Sequence, residues 1–245
     1  MKKILLFSLI MSNIIYGVDL KRPKEYSIKY LHNFGDINGF VQIPKGGKFG
    51  TTTTRKPEFN DLGIDEINYP KFELSAKWDK FFVNTEINYK VFKGSSNLNY
   101  DLISHDQLIT KNSNIKTNHE YINYNFGMGY DLVSLENITI SPLFQFGVTQ
   151  FDYQYKTDNL SSGRKFGFGS LHLGTIFKYD VTEKYNLILN LKYAIPFDNI
   201  RKWGTLELLN SYNILKNDSN ELNLLFGIGM EYFEFRDTQK RCKTL

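Results

Sequence analysis

Ser170 and His172, two residues apart, come closest in this chain to a nucleophile and its base. Residues i and i+2 of a strand share a face, so the two side chains would stand side by side. A catalytic serine also needs a third group to orient the histidine ring. No acidic orienter is identifiable, and the shared face is polar, turned away from any acyl chain. Lipid hydrolysis is therefore only a remote expectation. Glu86 and Glu207 also lie on polar faces, where paired carboxylates can do acid–base work. Ion pairing is the commoner fate of such groups. His32, His105 and His119 fall in or beside loops or at uncertain strand ends. No His, Cys, Asp or Glu spacing matches a metal site, and neither metal nor cofactor is expected.

The loop from Pro44 to Gly63 sets glycines before hydroxyls, in Gly46-Gly47-Lys48-Phe49-Gly50-Thr51. A phosphate loop needs a Gly-Lys-Ser/Thr ending between a strand and a helix, and neither is present. The segment reads as a structured external loop with a short helical turn near Glu58 to Leu62, stopped by Gly63. Its Lys45, Lys48, Arg55 and Lys56 are candidates for contacting lipopolysaccharide phosphates. A plain solvated loop is the simpler alternative.

These groups must be positioned by strands, because the hydrophobic period of the chain is two. In Tyr185 to Phe197 every odd position is apolar or aromatic, while Asn186, Asn190 and Lys192 stand between them. The same alternation recurs at about 26–34 (extending toward 43), 67–78, 81–93, 119–131, 138–152, 165–179, 203–215 and 222–235. Short connections of Asn, Asp and Ser alternate with long ones at about 44–66, 94–118 and 153–164, with a shorter one near 198–203. Such sorting is expected of an up-and-down antiparallel transmembrane β-barrel of eight to ten strands, with turns on one side and loops on the other. A soluble sandwich has no reason for it.

Composition agrees with a barrel. The 245 residues include 20 Phe and 16 Tyr, yet mean hydropathy is −0.37. That combination suits an apolar exterior, a polar interior and aromatic girdles. A net charge of +4 with scattered charges leaves no basic footprint for nucleic acid. The sole cysteine, Cys242, excludes an internal disulfide framework. Lys2 and Lys3 precede the apolar run Ile4 to Tyr16, the layout of a signal peptide over 1–17 that is too short to span a bilayer as a helix. The expected organisation is thus a signal peptide, a barrel over 18–235 and a polar tail over 236–245.

The wet faces carry Lys29, Lys71, Glu73, Lys77, Glu86, Lys90, Lys178, Lys192, Glu207 and Glu231. In a narrow barrel these point into the lumen, pair across it and largely plug it. One count does not close. Single-chain bacterial barrels have even strand numbers, and nine are legible. The expectation is that a closing tenth strand is missing, which full pairing of 222–235 with 26–34 would exclude.

On the signal peptide, the alternating strands, the loop order and the loop Gly46 to Ile64, the chain resembles small outer-membrane β-barrels of the opacity-protein and OmpX type. Gly229, Tyr232 and Phe235 echo the aromatic-ended final strand of such proteins, although this chain continues to Leu245. The resemblance implies a monomeric, non-enzymatic surface protein of the outer membrane. Its partners would be outer-membrane lipids, lipopolysaccharide and the barrel-assembly machinery. A small porin-like channel is the alternative.

Overall fold

The computed structural model describes residues 22–40, 57–104, 107–195, 200–216 and 221–235. Its strands are β1 (Glu25–Asp36), β2 (Glu66–Trp78), β3 (Phe81–Asn97), β4 (Leu102–Ser104), β5 (Gln107–Ile109) and β6 (Asn114–Tyr130). They continue as β7 (Val133–Ser134), β8 (Ile138–Lys156), β9 (Ser161–Thr182), β10 (Tyr185–Ile195), β11 (Ile200–Lys216) and β12 (Glu221–Phe235). The nine long strands form one antiparallel sheet in the order β1-β2-β3-β6-β8-β9-β10-β11-β12. Each long strand pairs with the next long strand along the chain, while β7 adds to β8 and β4 and β5 form a separate two-stranded hairpin.

The sheet curls on itself. Lys71 on β2 reaches Glu207 on β11, Lys192 on β10 reaches Glu86 on β3, and Lys90 on β3 reaches Glu231 on β12. None of these strand pairs is adjacent in the sheet. Their side chains meet only because the sheet rolls into a nearly closed, all-β, nine-stranded barrel.

One end of the barrel carries tight turns and the seven-residue connection 131–137, which holds β7. Asp79-Lys80 joins β2 to β3, with Asp79 in the left-handed region at φ 55°. Only Glu183 and Lys184 separate β9 from β10. The other end carries the long connections. The loop 157–160 is only four residues, shorter than the sequence pattern suggests, because β8 and β9 run on beyond the alternating stretch.

The reason is a change of phase. On the turn-end part of β8, Ile138, Ile140, Phe144, Phe146 and Val148 face out, while Ser141, Gln145, Gly147 and Thr149 face in. Beyond Val148 the chemistry swaps. Gln150, Asp152, Gln154 and Lys156 now face out, and Phe151, Tyr153 and Tyr155 face in. The same exchange occurs on β6, between outward Ile122 and inward Tyr121, and on β9, between inward Ser170 and inward Phe168. A search for one continuous apolar face ends at such a point, although the backbone ladder does not. His119, expected at a strand end, lies within β6 on the inward face and is fully buried.

The outer apolar band is therefore limited in height. Eleven residues from Ile138 to Val148, at about 3.3 Å each and a tilt of about 40°, rise roughly 25 Å. Tyr26, Tyr179 and Tyr212 face out near the turn end, and Tyr124, Tyr193 and Tyr232 toward the loop end. Two rows of tyrosine thus bracket the apolar band.

β1 and β12 are the two ends of the sheet. Among the described residues neither has a second partner, so the pairing that would have excluded a missing strand is not formed.

Candidate functional site in the barrel interior

The lumen has two storeys of different chemistry. The lower storey, inside the apolar band, is polar. Lys71 Nζ lies 2.7 Å from Glu207 Oε1 and 3.4 Å from Glu86 Oε2, and Lys192 Nζ lies 2.8 Å from the same Glu86 oxygen. This quartet has no net charge. Amides complete it: Asn88 and Asn125 donate to Glu86 Oε1 at 2.9 and 3.2 Å, and Asn190 donates to Glu207 Oε2 at 3.2 Å. Lys71 stands between the two carboxylates, so they form a salt-bridged lattice rather than an acid–base dyad. Burying charge is tolerable only with such pairing, and Glu86 is only 4% exposed.

A second pair sits toward the loop end. Lys90 binds Glu231, whose other oxygen accepts from Trp203 Nε1 at 3.3 Å. The Lys90 ammonium also lies 4.7 Å and 5.0 Å from the ring centres of Tyr69 and Tyr121, within cation–π range.

The remaining expected lumen charges do not cross the barrel. Lys29 and Glu73 face each other on neighbouring strands at 3.2 Å. Lys77 binds Asp131 at 2.7 Å near the turns, and Ser141 donates to the same carboxylate at 2.6 Å. Lys178 pairs along its own strand with Asp180 at 3.0 Å, half exposed at the rim. They stay local because their strands are adjacent or their side chains reach the barrel mouth first. Asp131 was not legible as a partner, since it stands at the last position of the run at 119–131, just past the end of β6.

The upper storey is an apolar plug. The connection between β1 and β2 folds back on itself, with Phe40 bridging Glu58 and Ile37 N donating to Asp65 O at 3.1 Å. It pushes Phe59, Leu62 and Ile64 into the mouth, among Phe92, Ile115, Phe151, Tyr153, Tyr155, Phe166 and Phe168. The expected helical turn is a short 3-10 helix, Asn60–Leu62, stopped by Gly63 at φ 71°. Gly63 and Gly94 permit the closest approach: a Cβ on Gly63 would lie 2.5 Å from Ser95 O, and one on Gly94 2.3 Å from Leu62 O. Leu62 O accepts from Thr117 Oγ1 at 3.3 Å, and Asp61 Oδ2 accepts from the Tyr100 hydroxyl at 3.0 Å. His119 sits in this plug with its ring 6.0–6.1 Å from those of Phe59, Phe151 and Tyr153 and 5.7 Å from that of Tyr155.

Between the storeys lies a cavity of about 30 Å³ open to the centre of a water molecule, lined by Tyr69, Glu86, Asn125, His172, Lys192 and Trp203 among others. That is space for about two waters. His172 packs edge-on against Trp203 at 4.5 Å, and neither its ring nitrogens nor Ser170 Oγ has a protein hydrogen-bond partner. Ser170 and His172 share the inward face but do not bond to each other. His32 faces out on β1, where its Nδ1 lies 3.1 Å from the Tyr30 hydroxyl. Among the described residues no three His, Cys, Asp or Glu side chains gather as for a metal ion.

Lys45, Lys48, Arg55 and Lys56, the candidates for lipopolysaccharide contact, lie outside the described residues, as do His105, the signal-like segment 1–17 and the tail 236–245. Comparison of the chain with protein-family models, with curated proteins and with solved structures found no match.

Proposed function

We propose that this protein is a sealed outer-membrane β-barrel that works at the cell surface without catalysing a reaction, of the opacity-protein and OmpX type. The apolar outer band would face hydrocarbon, the tight turns would face the periplasm, and the long connections would face outside. Soluble proteins seldom expose an apolar patch beyond a few hundred Å². Here Ile28, Phe72, Leu74, Phe126, Phe146, Ile228 and many others stand outward and exposed on every long strand. Lipid offers them a solvent, and the height of the band suits it.

The observation that carries the surface role, and weighs against a channel, is the filled lumen. Three cross-barrel ion pairs and the plug built on Phe59, Leu62 and Ile64 leave space for water molecules but not for a solute file. What remains to interact is the loop end, where Lys45, Lys48, Arg55 and Lys56 are candidates for lipopolysaccharide phosphate. Planar-bilayer recording of the refolded protein tests this. The expected record is flat at all voltages; steady unitary conductance would favour a porin-like role instead.

A further inference from the structure

We propose that the seam between β1 and β12 is an acceptor site for one extended strand of a second polypeptide, inserted antiparallel to both edges. The argument begins with parity. With nine antiparallel strands, β1 and β12 point the same way, both from turn end to loop end. All eight pairings between long strands are antiparallel. Direct closure would need a single parallel pair. One inserted strand instead gives each edge the pairing that the rest of the sheet uses.

The edges are long and unguarded. β1 offers 12 residues and β12 offers 15. Natural sheets blunt such edges with charge, proline or bulges. From Tyr26 to Phe34 and from Leu222 to Tyr232 there is no proline, and the charges Lys29 and Glu231 are each already paired. The outward residues of these strands are among the most exposed in the molecule, with Phe34 at 83%, Ile28 at 81% and Ile228 at 77%. That is the mark of a missing lateral neighbour. Among the described residues no strand pairs with the outer backbone edge of β1 or β12, along a seam about one strand long.

The edges also dictate the guest. Tyr26, Ile28, Phe226 and Ile228 face out, so its outward residues must be apolar. The inward face presents Ser27, Asn33, Asn223 and Gly229 beside Leu31 and Leu225, so its inward residues must be small or polar except where they meet those two leucines. Main-chain hydrogen bonds would supply affinity and this alternation would supply register, as in other strand-addition complexes. The reasoning uses the rolled sheet alone and holds whether or not lipid surrounds it.

The test uses the full chain with Cys242→Ser. Cysteines are placed in turn at Ser27, Leu31 or Asn33 on β1 and at Asn223 or Gly229 on β12. Gly229 is used rather than Gly227 because a Cβ there meets Leu206 O at 3.3 Å, which asks a shift of only a few tenths of an ångström, whereas at Gly227 it would lie 2.0 Å from Leu208 O. Paired edges hold Cα atoms within about 7 Å, whereas an inserted strand separates them by about 10 Å. In the protease-resistant folded fraction, oxidation should give no β1–β12 disulfide. A synthetic strand as long as β1, alternating apolar and polar around a central cysteine, should form mixed disulfides with single-cysteine variants of both edges. A peptide of the same composition in blocks should not. A β1–β12 disulfide, a cross-link from either edge to another part of the same chain, or equal capture of both peptides overturns the proposal.

Discussion

Removing Lys71 separates a sealed lumen from a wet one. Its ammonium is shared by Glu86 and Glu207, and its side chain is 8% exposed. In Lys71→Met, Glu86 keeps Lys192 and two amide donors, whereas Glu207 keeps only Asn190. The quartet then carries one uncompensated negative charge in a site walled by protein. Losing one partner of a buried pair costs about 3–5 kcal/mol. At about 1.4 kcal/mol per tenfold change, that is a shift of two to three and a half orders of magnitude in the folding equilibrium. Lys71→Met/Glu207→Gln removes both members, leaves Glu86 balanced by Lys192, and should cost only about 1 kcal/mol more than Glu207-independent packing loss. The double variant should thus be about 2–4 kcal/mol more stable than Lys71→Met alone, and with Glu207→Gln as the third corner the cycle should be non-additive by at least that much. Urea titrations of the refolded protein, followed by the fluorescence of Trp78 and Trp203, would measure the cycle. Lys24→Met, whose partner Asp79 is 78% exposed, serves as the control and should change stability by less than about 1 kcal/mol. If Lys71→Met behaves like Lys24→Met and the cycle is additive, the lumen is solvent-filled and the sealed-barrel reasoning is refuted.

Three further outcomes follow from the same geometry. Gly63→Ala places a methyl against Ser95 O at a left-handed backbone position; limited proteolysis should cut within 57–65 faster while the strands stay protected. Leu62→Ala empties a fully buried site in the plug and should cost about 2–5 kcal/mol, read as an earlier urea midpoint; no loss would mean the plug is not packed. His172→Ala removes the imidazole two residues from Ser170 on the inward face of β9, yet hydrolysis of phospholipid or lipopolysaccharide acyl chains should be at background in both proteins. Lipase activity that disappears with the histidine would reverse the non-enzymatic assignment.

The two storeys of the lumen differ in how far the sequence announces them. Where one face meets solvent of one kind, as from Ile138 to Val148, period-two alternation marks the strand almost to the residue. Past Val148 the ladder continues but the polarity of inside and outside exchanges, so Tyr153 and Tyr155 read as the start of a loop. The plug was invisible for that reason. It joins Phe59 and Leu62 to residues about 30 to 105 positions away, from Phe92 to Phe166, and only three-dimensional packing brings them together. The lumen charges were legible as a set, because each is flanked by outward apolar residues. Their partners were not, because pairing across a barrel depends on strand stagger. Lys71 could not be matched to Glu207, 136 residues away, from spacing alone. Asp131 closes the run at 119–131 in phase with Asn123 and Asn125, but at its last position nothing follows to mark the face it takes.

Nitroxide scanning along β8 tests most directly what the apolar rows touch. Labels placed singly from Phe144 to Gln154, in protein refolded into vesicles, report collision with oxygen, which concentrates in lipid, and with a polar nickel chelate, which stays in water. Labels at Phe144, Phe146 and Val148 should meet oxygen and not nickel; those at Asp152 and Gln154 should meet nickel; those at Gln145 and Tyr153 should meet neither. Immobilised, oxygen-shielded labels at 144, 146 and 148 would mean that protein covers that face, contradicting the barrel in lipid.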